Sequence, residues 1–156
     1  WLPADFPPKE LKGKRVAQNA VVVGFGSENA DGPASDAVDG FADTIWHSRW
    51  SGNNVPGCPH ELVVDLGATM ELSGLTVLPR QTGVNGWINE YEVYVSQDGK
   101  TWGEPAAKGA FDRGKEKKTV QFANPAICRF IRFVALKGFD NQVWASLAEL
   151  EVVLAK

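Results

Sequence analysis

Residues 91–102 read YEVYVSQDGKTW, and this stretch decides the class of the fold. Tyr91, Val93 and Val95 alternate with more polar neighbours, which is the period-two pattern of a strand that buries one face. Asp98-Gly99 follows directly, and this dipeptide is frequent in the tight turns that end antiparallel strands. The stretch therefore predicts a half-buried β-strand and a turn after it.

The same alternation recurs along the chain, with turn residues between the runs. It is found at residues 62–66, 75–77, 130–133 and 149–154. Asp39-Gly40 marks another turn, and the best helical candidate, residues 34–38, is long enough for only one or two turns. Several short strands separated by turn signals predict an all-β protein, either a sandwich or a barrel.

Length and charge limit the classes of function. The 156 residues are enough for one domain with a sizeable core, and we place it at residues 16–156, after a lead-in or linker rich in Pro and Lys at residues 1–15. A net charge of −3 with scattered Lys and Arg disfavours nucleic acid or an anionic membrane as the main partner. Cys58 and Cys128 leave both free thiols and one disulfide open.

Six ordered segments carry a family resemblance. They are AVDG (37–40), TIW (44–46), LVVDLG (62–67), the stretch 91–102, RFIRF (129–133) and ASLAEL (145–150). Together, from about residue 20 to residue 154, they resemble the discoidin or coagulation factor 5/8 type C superfamily. Within it the chain looks most like the family 32 carbohydrate-binding modules. The resemblance implies a galactose-binding-domain-like jelly-roll β-sandwich of about eight strands.

Oxygen-bearing side chains are concentrated in residues 36–44, and Glu149 begins the last predicted strand. Calcium takes about 6–8 hard oxygen ligands, and the resemblance implies that one structural calcium ion joins these two regions. The implied ligands are the carbonyls of Asp36 and Ala148, the carboxylates of Asp39 and Glu149, and both oxygens of Thr44. Phe41 stands where the family often has Asn or Asp, so it can offer only its backbone oxygen. The alternative is a plain Asx-type turn without metal.

Polar and aromatic residues are mixed in three segments beside predicted strand ends, at residues 46–50, 79–87 and 139–144. A site for a neutral sugar needs an aromatic face for the ring and polar groups for its hydroxyls. In a jelly roll such loops gather at one end of the sandwich, so we expect the three segments to form one site.

The resemblance assigns residues to this site. His47 and Trp50 match the spaced pair of galactose-binding members, and Arg80 and Asn85 match the next two positions. Trp144 is the first candidate for the last aromatic residue, and Phe139 is the second. By analogy, His47, Arg80 and Asn85 bind hydroxyls while Trp50 and Trp144 form an aromatic floor and wall.

Other readings of single residues stay open at this stage. Trp46 and Trp102 are expected in the core, whereas Trp87 is either a core residue or a rim contact. A single loop histidine such as His47 is usually a solvated surface residue. Only the presence of Trp50 three residues later favours a binding role. Arg80 could instead form an ordinary surface ion pair with Glu90 or Glu92, which would contribute little to stability.

The expected function is therefore that of an extracellular, non-catalytic carbohydrate-binding module. It would recognise galactose or N-acetylgalactosamine and, as a tethered monomer, target an attached glycoside hydrolase to glycans. Catalysis by the domain is disfavoured because no pair of carboxylates is expected across a cleft and no zinc spacing or nucleotide fingerprint is present. The alternative is a discoidin-type domain that binds membrane lipid or a protein partner through its loop tryptophans, although its few basic residues give that reading little support.

Overall fold

The computed structural model describes residues 19–156, so the predicted lead-in at residues 1–15 lies outside it. The strands are β1 (Val21–Phe25), β2 (Trp46–His47), β3 (His60–Leu78), β4 (Ile88–Ser96), β5 (Ala107–Ala110), β6 (Lys118–Gly138), β7 (Ser146–Leu147) and β8 (Glu149–Leu154). One 3-10 helix spans Ala34–Val38, as predicted. The number of strands, eight within the described residues, also agrees with the prediction.

Two long strands, β3 and β6, organise the sandwich. They pair antiparallel along most of their length, and the register shifts between Asp65 and Met70 and again between Leu72 and Gly74. Before the first shift, β3 and β6 are the inner strands of a sheet with the order β1-β3-β6-β4-β5. After the shift, β3 also pairs with β8 on its other side. The pair thus passes from one layer into the other, because bulges bend strands. The predicted all-β sandwich is confirmed, but several predicted short strands are segments of these two.

One hydrophobic core holds both layers together. Its largest fully buried side chains include Trp46, Phe133, Leu62, Leu72 and Leu75, and burying each large apolar side chain contributes about 1.5–3 kcal/mol. Trp46 was predicted in the core and is 0% exposed.

Trp102 was also predicted in the core, and that prediction is wrong. Its side chain is only partly buried, and it is not a member of the core cluster. The reason is its place in the irregular connection between β4 and the edge strand β5, outside the paired strands that enclose the core.

The outer surface of the sheet carries two arginine ion pairs. Arg129 Nε donates to Asp65 Oδ1 at 2.7 Å, and Arg132 Nε donates to Glu61 Oε1 at 2.8 Å. The Arg129 guanidinium lowers the pKa of the Asp65 carboxyl. Each pair joins β3 to β6, so these arginines stabilise the sheet surface.

Both cysteines have free thiols. Cys128 is fully buried in β6, where burial raises its pKa to about 11. Cys58 is partly buried, and its Sγ lies 3.6 Å from the Val143 carbonyl oxygen. Of the two alternatives that the sequence left open, the structure has the unbridged one.

The short strands β2 and β7 form a separate two-stranded sheet that leads into the loops. They pair antiparallel, with Trp46 opposite Leu147 and His47 opposite Ser146. This pairing joins a segment near the start of the chain to one near its end. Among residues 19–156 we find no helix of the length and apolarity that a bilayer crossing requires.

Candidate functional site

A pocket of about 300 Å³ opens among the loops beside β2 and β7. It is lined by Asp31, Ile45, His47, Trp50, Arg80, Asn85 and Trp144. Its volume lies at the lower end of the range for small-molecule sites. Five of the six residues predicted for the sugar site line it, and they come from all three of the predicted segments.

His47 reaches the pocket from β2, with its side chain 5% exposed. Its Nδ1 lies 2.7 Å from the Ser48 carbonyl oxygen. Because a carbonyl oxygen can only accept, Nδ1 carries the hydrogen and Nε2 of the neutral ring is an acceptor. Burial lowers the pKa of His47, and the charge of Arg80 lowers it further. The hydrogen bond to Ser48 and the charge of Asp31 act in the opposite direction, but the pKa is lowered on balance. The ring is therefore neutral at pH 7.

Asn85 is held in place through its backbone by β7. Ser146 Oγ donates to the Asn85 carbonyl oxygen at 2.7 Å, and Ser146 N donates to the Gly86 carbonyl oxygen at 2.8 Å. Gly86 N donates to Gln142 Oε1 at 2.9 Å. Gly86 has φ +87°, and a Cβ there would lie 2.5 Å from Ser146 Oγ, so only glycine permits this close approach.

Arg80 follows β3, and its backbone and side chain are both fixed. Its Nε donates to the Thr82 carbonyl oxygen at 2.7 Å, and its own carbonyl oxygen accepts from Trp87 Nε1 at 3.0 Å. Within the described residues no ion pair joins Arg80 to Glu90 or Glu92, so the surface-pair reading is not observed. Trp87 is partly buried and lines a different, very small cavity.

Two tryptophans supply the aromatic surface of the pocket. Trp50 is 47% exposed, and Trp144 lies with its ring centroid 6.5 Å from that of His47 at an angle of 50°. An indole left half in water at the edge of a polar pocket offers a flat apolar face to a ligand. The pocket therefore combines ring surfaces with polar groups that can donate and accept.

Arg49 stabilises the loop that carries Trp50. Its guanidinium donates to the carbonyl oxygens of Ser51 at 3.0 Å, Asn53 at 3.0 Å and Asn54 at 2.6 Å. Three hydrogen bonds from one planar group hold the loop in a single path. Trp50 is thus presented in an ordered conformation, which reduces the entropy lost when a ligand binds.

Phe139, the second candidate for the last aromatic position, lies outside this pocket. Its ring has the Arg113 guanidinium 4.7 Å from its centroid, and it lines the small cavity that also contains Trp87. Arg113 in turn forms an ion pair with Asp140 at 3.0 Å. The structure therefore brings Trp144, and not Phe139, to the other candidate residues.

Asp31 and Ile45 line the pocket although the sequence analysis did not single them out. Asp31 stands in an ordinary turn-like stretch, and nothing in its local pattern distinguishes it from a solvated acidic residue. It reaches the pocket because the backbone of residues 29–32 is hydrogen-bonded to His47. Only this contact between distant segments could have identified it.

Four residues of the predicted metal site, Asp39, Phe41, Thr44 and Glu149, lie at or contact the turn that follows the 3-10 helix. Thr44 Oγ1 donates to Asp39 Oδ2, and Phe41 N donates to Asp39 Oδ1 at 2.9 Å. Gly40 N donates to Glu149 Oε2 at 2.8 Å, so the first residue of β8 contacts the turn directly. Two carboxylates and one hydroxyl from both ends of the domain are therefore close together.

The oxygen atoms of Asp39, Thr44 and Glu149 are the type of ligand that a hard cation such as calcium prefers. These side chains alone provide too few oxygen ligands for a complete coordination shell. Burial and the charge of Asp39 raise the pKa of Asp36, as expected for neighbouring like charges. Within residues 19–156 no three His, Cys, Asp or Glu side chains are grouped as metal ligands. Any ion here needs backbone carbonyls as well, and Ala148, which the sequence analysis named as one such ligand, is fully buried between β7 and β8. The side chain of Phe41 is 59% exposed.

Comparison with known proteins agrees with the fold. The profile of the F5/8 type C domain family matches residues 22–150. The family 32 carbohydrate-binding module of Clostridium perfringens NanJ, solved in complex with galactose, superposes with a TM-score of 0.78 at 32% identity, covering 88% of this chain and 96% of that one. A second C. perfringens module, CBM32-5 of GH89, solved with GalNAc-β-1,3-galactose, has a TM-score of 0.81 at 34% identity, covering 90% and 99%.

Similar curated proteins are much longer than this chain. Galactose oxidase from Gibberella zeae is 37% identical over 145 residues, which are 92% of this chain and 21% of that protein. Sialidase from Micromonospora viridifaciens is 42% identical over 123 residues, which are 78% of this chain and 19% of that protein. The chain thus spans about a fifth of the length of these relatives.

Proposed function

The chain belongs to the F5/8 type C domain family, and we propose that it is a non-catalytic carbohydrate-binding module that recognises galactose-configured sugars in the pocket at Trp50. The observation that carries the proposal is the pocket itself, in which His47, Arg80 and Asn85 lie beside the rings of Trp50 and Trp144. The galactose and GalNAc-β-1,3-galactose complexes of the similar modules support the choice of sugar.

The polar groups of the pocket can both accept hydrogen bonds from sugar hydroxyls and donate hydrogen bonds to them. A hydroxyl can donate to Nε2 of the neutral His47 ring, and its oxygen can accept from the terminal N–H groups of Arg80. The Asn85 amide offers a donor and an acceptor. Trp50 and Trp144 would pack against the apolar C–H face of the ring, and that face is continuous in a galactose ring because its 4-hydroxyl is axial.

Binding without catalysis is the role that this pocket supports. Glycoside hydrolysis uses two carboxyl groups on either side of the bond, whereas Asp31 is the one carboxylate among the lining residues. A module of this kind acts by raising the effective concentration of an attached domain at its glycan. Galactose oxidase and sialidase are each about five times as long as the matched segment, which supports such an attachment. Both are enzymes named for carbohydrate substrates, and we propose an extracellular location for the module on this ground.

We further propose that calcium stabilises the domain. The carboxylates of Asp39 and Glu149, Thr44, and the carbonyls of Asp36 and Ala148 would hold it, with the Phe41 carbonyl in place of a side-chain ligand. Bound calcium would neutralise the carboxylates that otherwise repel each other at this turn. Its effect would be structural, joining the turn at residues 39–44 to the start of β8, next to Ile45, which lines the pocket.

A glycan array tests the proposed function directly. The full chain, labelled at an amine, is applied with calcium and with a chelator to glycans that end in galactose, N-acetylgalactosamine, glucose, fucose or sialic acid. We expect signal on the first two classes, with micromolar to millimolar dissociation constants for single sugars. Absence of glycan binding combined with pelleting on anionic liposomes would reject the proposal in favour of the lipid-binding alternative.

A further inference from the structure

A buried side chain behind the pocket, Asn29, connects two of the pocket residues. It is 5% exposed, and both ends of its amide are used. Oδ1 accepts from Trp50 N at 3.1 Å, from Ser51 N at 3.2 Å and from Ser51 Oγ at 2.9 Å. Nδ2 donates to Asp31 Oδ1 at 2.8 Å. One amide thus contacts the start of the Trp50 loop on one side and the pocket carboxylate on the other.

The backbone of Asn29 is tied to a third pocket residue. Asn29 N donates to the His47 carbonyl oxygen at 2.9 Å, and His47 N donates to the Gly32 carbonyl oxygen at 3.0 Å. Gly32 N closes the turn by donating to the Asn29 carbonyl oxygen at 3.0 Å. A Cβ on Gly32 would lie 2.9 Å from His47 N, so this turn packs directly on β2. Asn29 is therefore fixed with respect to His47 before its side chain contacts anything else.

We propose that Asn29 is a positioning residue, which holds the Trp50 loop and the Asp31 carboxylate in the geometry that the sugar requires. This rests on the proposed function of the pocket. Asn29 does not line the pocket, so it acts through its two neighbours. Its chemistry is specific: Asp lacks the donor that Asp31 needs, and Ala lacks the acceptor that Trp50 and Ser51 share.

The contact between Asn29 and Asp31 is a hydrogen bond from a neutral donor to a carboxylate, and not an ion pair. An amide N–H orients Asp31 without contributing a positive charge, and within the described residues no ion pair joins Asp31 to a cation. Asp31 is thus an oriented acceptor for hydroxyl or amide N–H groups of a ligand. The position of this acceptor relative to the Trp50 ring is what Asn29 sets.

A double-mutant cycle tests the proposal through galactose affinity, measured by titration calorimetry. N29D keeps the shape and the acceptor but places a second carboxylate against Asp31, and we expect at least a tenfold loss. D31N supplies an amide donor to the new carboxylate, so N29D made in the D31N background should cost no more than about twofold. The same loss from N29D in both backgrounds, or no loss in either, would overturn the proposal.

A second measurement does not require sugar binding. In ¹H–¹⁵N spectra of the free protein, we expect the indole resonance of Trp50, assigned with Trp50→Phe, to shift in N29D and to return in N29D/D31N. Asn53→Ala is the matched control, since Asn53 is on the same loop and, within residues 19–156, is hydrogen-bonded through its carbonyl and not through its side chain. If the indole resonance does not shift in N29D, the positioning role is refuted, even if D31N abolishes binding. If the wild-type protein does not bind galactose but the indole resonance shifts in N29D and returns in N29D/D31N, only the proposed function is rejected.

Discussion

Removal of the Trp50 indole is the perturbation whose effect on binding follows most directly from the structure. Trp50 is 47% exposed, and a tryptophan side chain has an area of about 250 Å², so about 120 Å² of it faces solvent. A sugar ring that covers between half and all of this area gains about 1.5–3 kcal/mol at 25 cal/mol per Å². Trp50→Ala should therefore weaken galactose binding roughly 10- to 150-fold.

The assay is titration calorimetry with galactose at pH 7, together with thermal unfolding of each variant. Phe25→Ala is the matched control, because Phe25 is 46% exposed but lies on β1 and does not line the pocket. Both substitutions should change the free energy of unfolding by only about 0.5 kcal/mol, as is usual at exposed positions. Equal affinity losses in the two variants, or wild-type affinity in Trp50→Ala, would refute the stacking argument.

Four further substitutions or conditions test other parts of the site. Galactose affinity should stay constant from pH 8 to about pH 6.5 and fall at lower pH. The reason is that the lowered pKa of His47 keeps Nε2 an acceptor until the ring protonates. The substitution His47→Gln should remove this pH dependence. Arg80→Lys keeps the charge but loses the planar fork and should cost about 1.5 kcal/mol of binding, measured by calorimetry. Gly86→Ala should lower the free energy of unfolding by about 1–3 kcal/mol in urea titrations, since φ is +87° and the new Cβ meets Ser146 Oγ. Chelation should lower the melting temperature by several degrees, and Asp39→Ala should abolish that difference; an unchanged wild-type curve would exclude the metal.

The pH prediction for His47 extends to stability. Its folded-state pKa lies below the unfolded value, so the unfolded chain takes up the proton first as the pH falls. The contribution of the neutral ring to stability is therefore complete above pH 6.5 and decreases below it. A melting temperature that rises on acidification from pH 7 to pH 5.5, relative to the His47→Gln variant, would contradict the burial of a neutral ring.

Local patterns were sufficient for the class of the fold and for most strand positions. Alternation at residues 62–66, 91–95 and 150–154 reports which face of each strand is apolar, and this depends only on neighbours in sequence. The same patterns could not show that β3 continues from His60 to Leu78, because the register shifts at its bend depend on pairing with β6. Trp102 was misplaced for a similar reason, since nothing local indicates that the connection to β5 lies at a sheet edge.

What the sequence alone determined about the candidate site was the kind of residue and the loops that carry it, and the family resemblance then selected His47, Trp50, Arg80, Asn85 and Trp144. Only the tertiary structure decided between Trp144 and Phe139, and only it brought Asp31 to the pocket and Asn29 into contact with Asp31 and Trp50. The physical reason is that these placements rest on hydrogen bonds between segments far apart in the chain, such as the pairing of β2 with β7. A local pattern records the chemistry of a side chain, whereas its neighbours are set by the folded backbone.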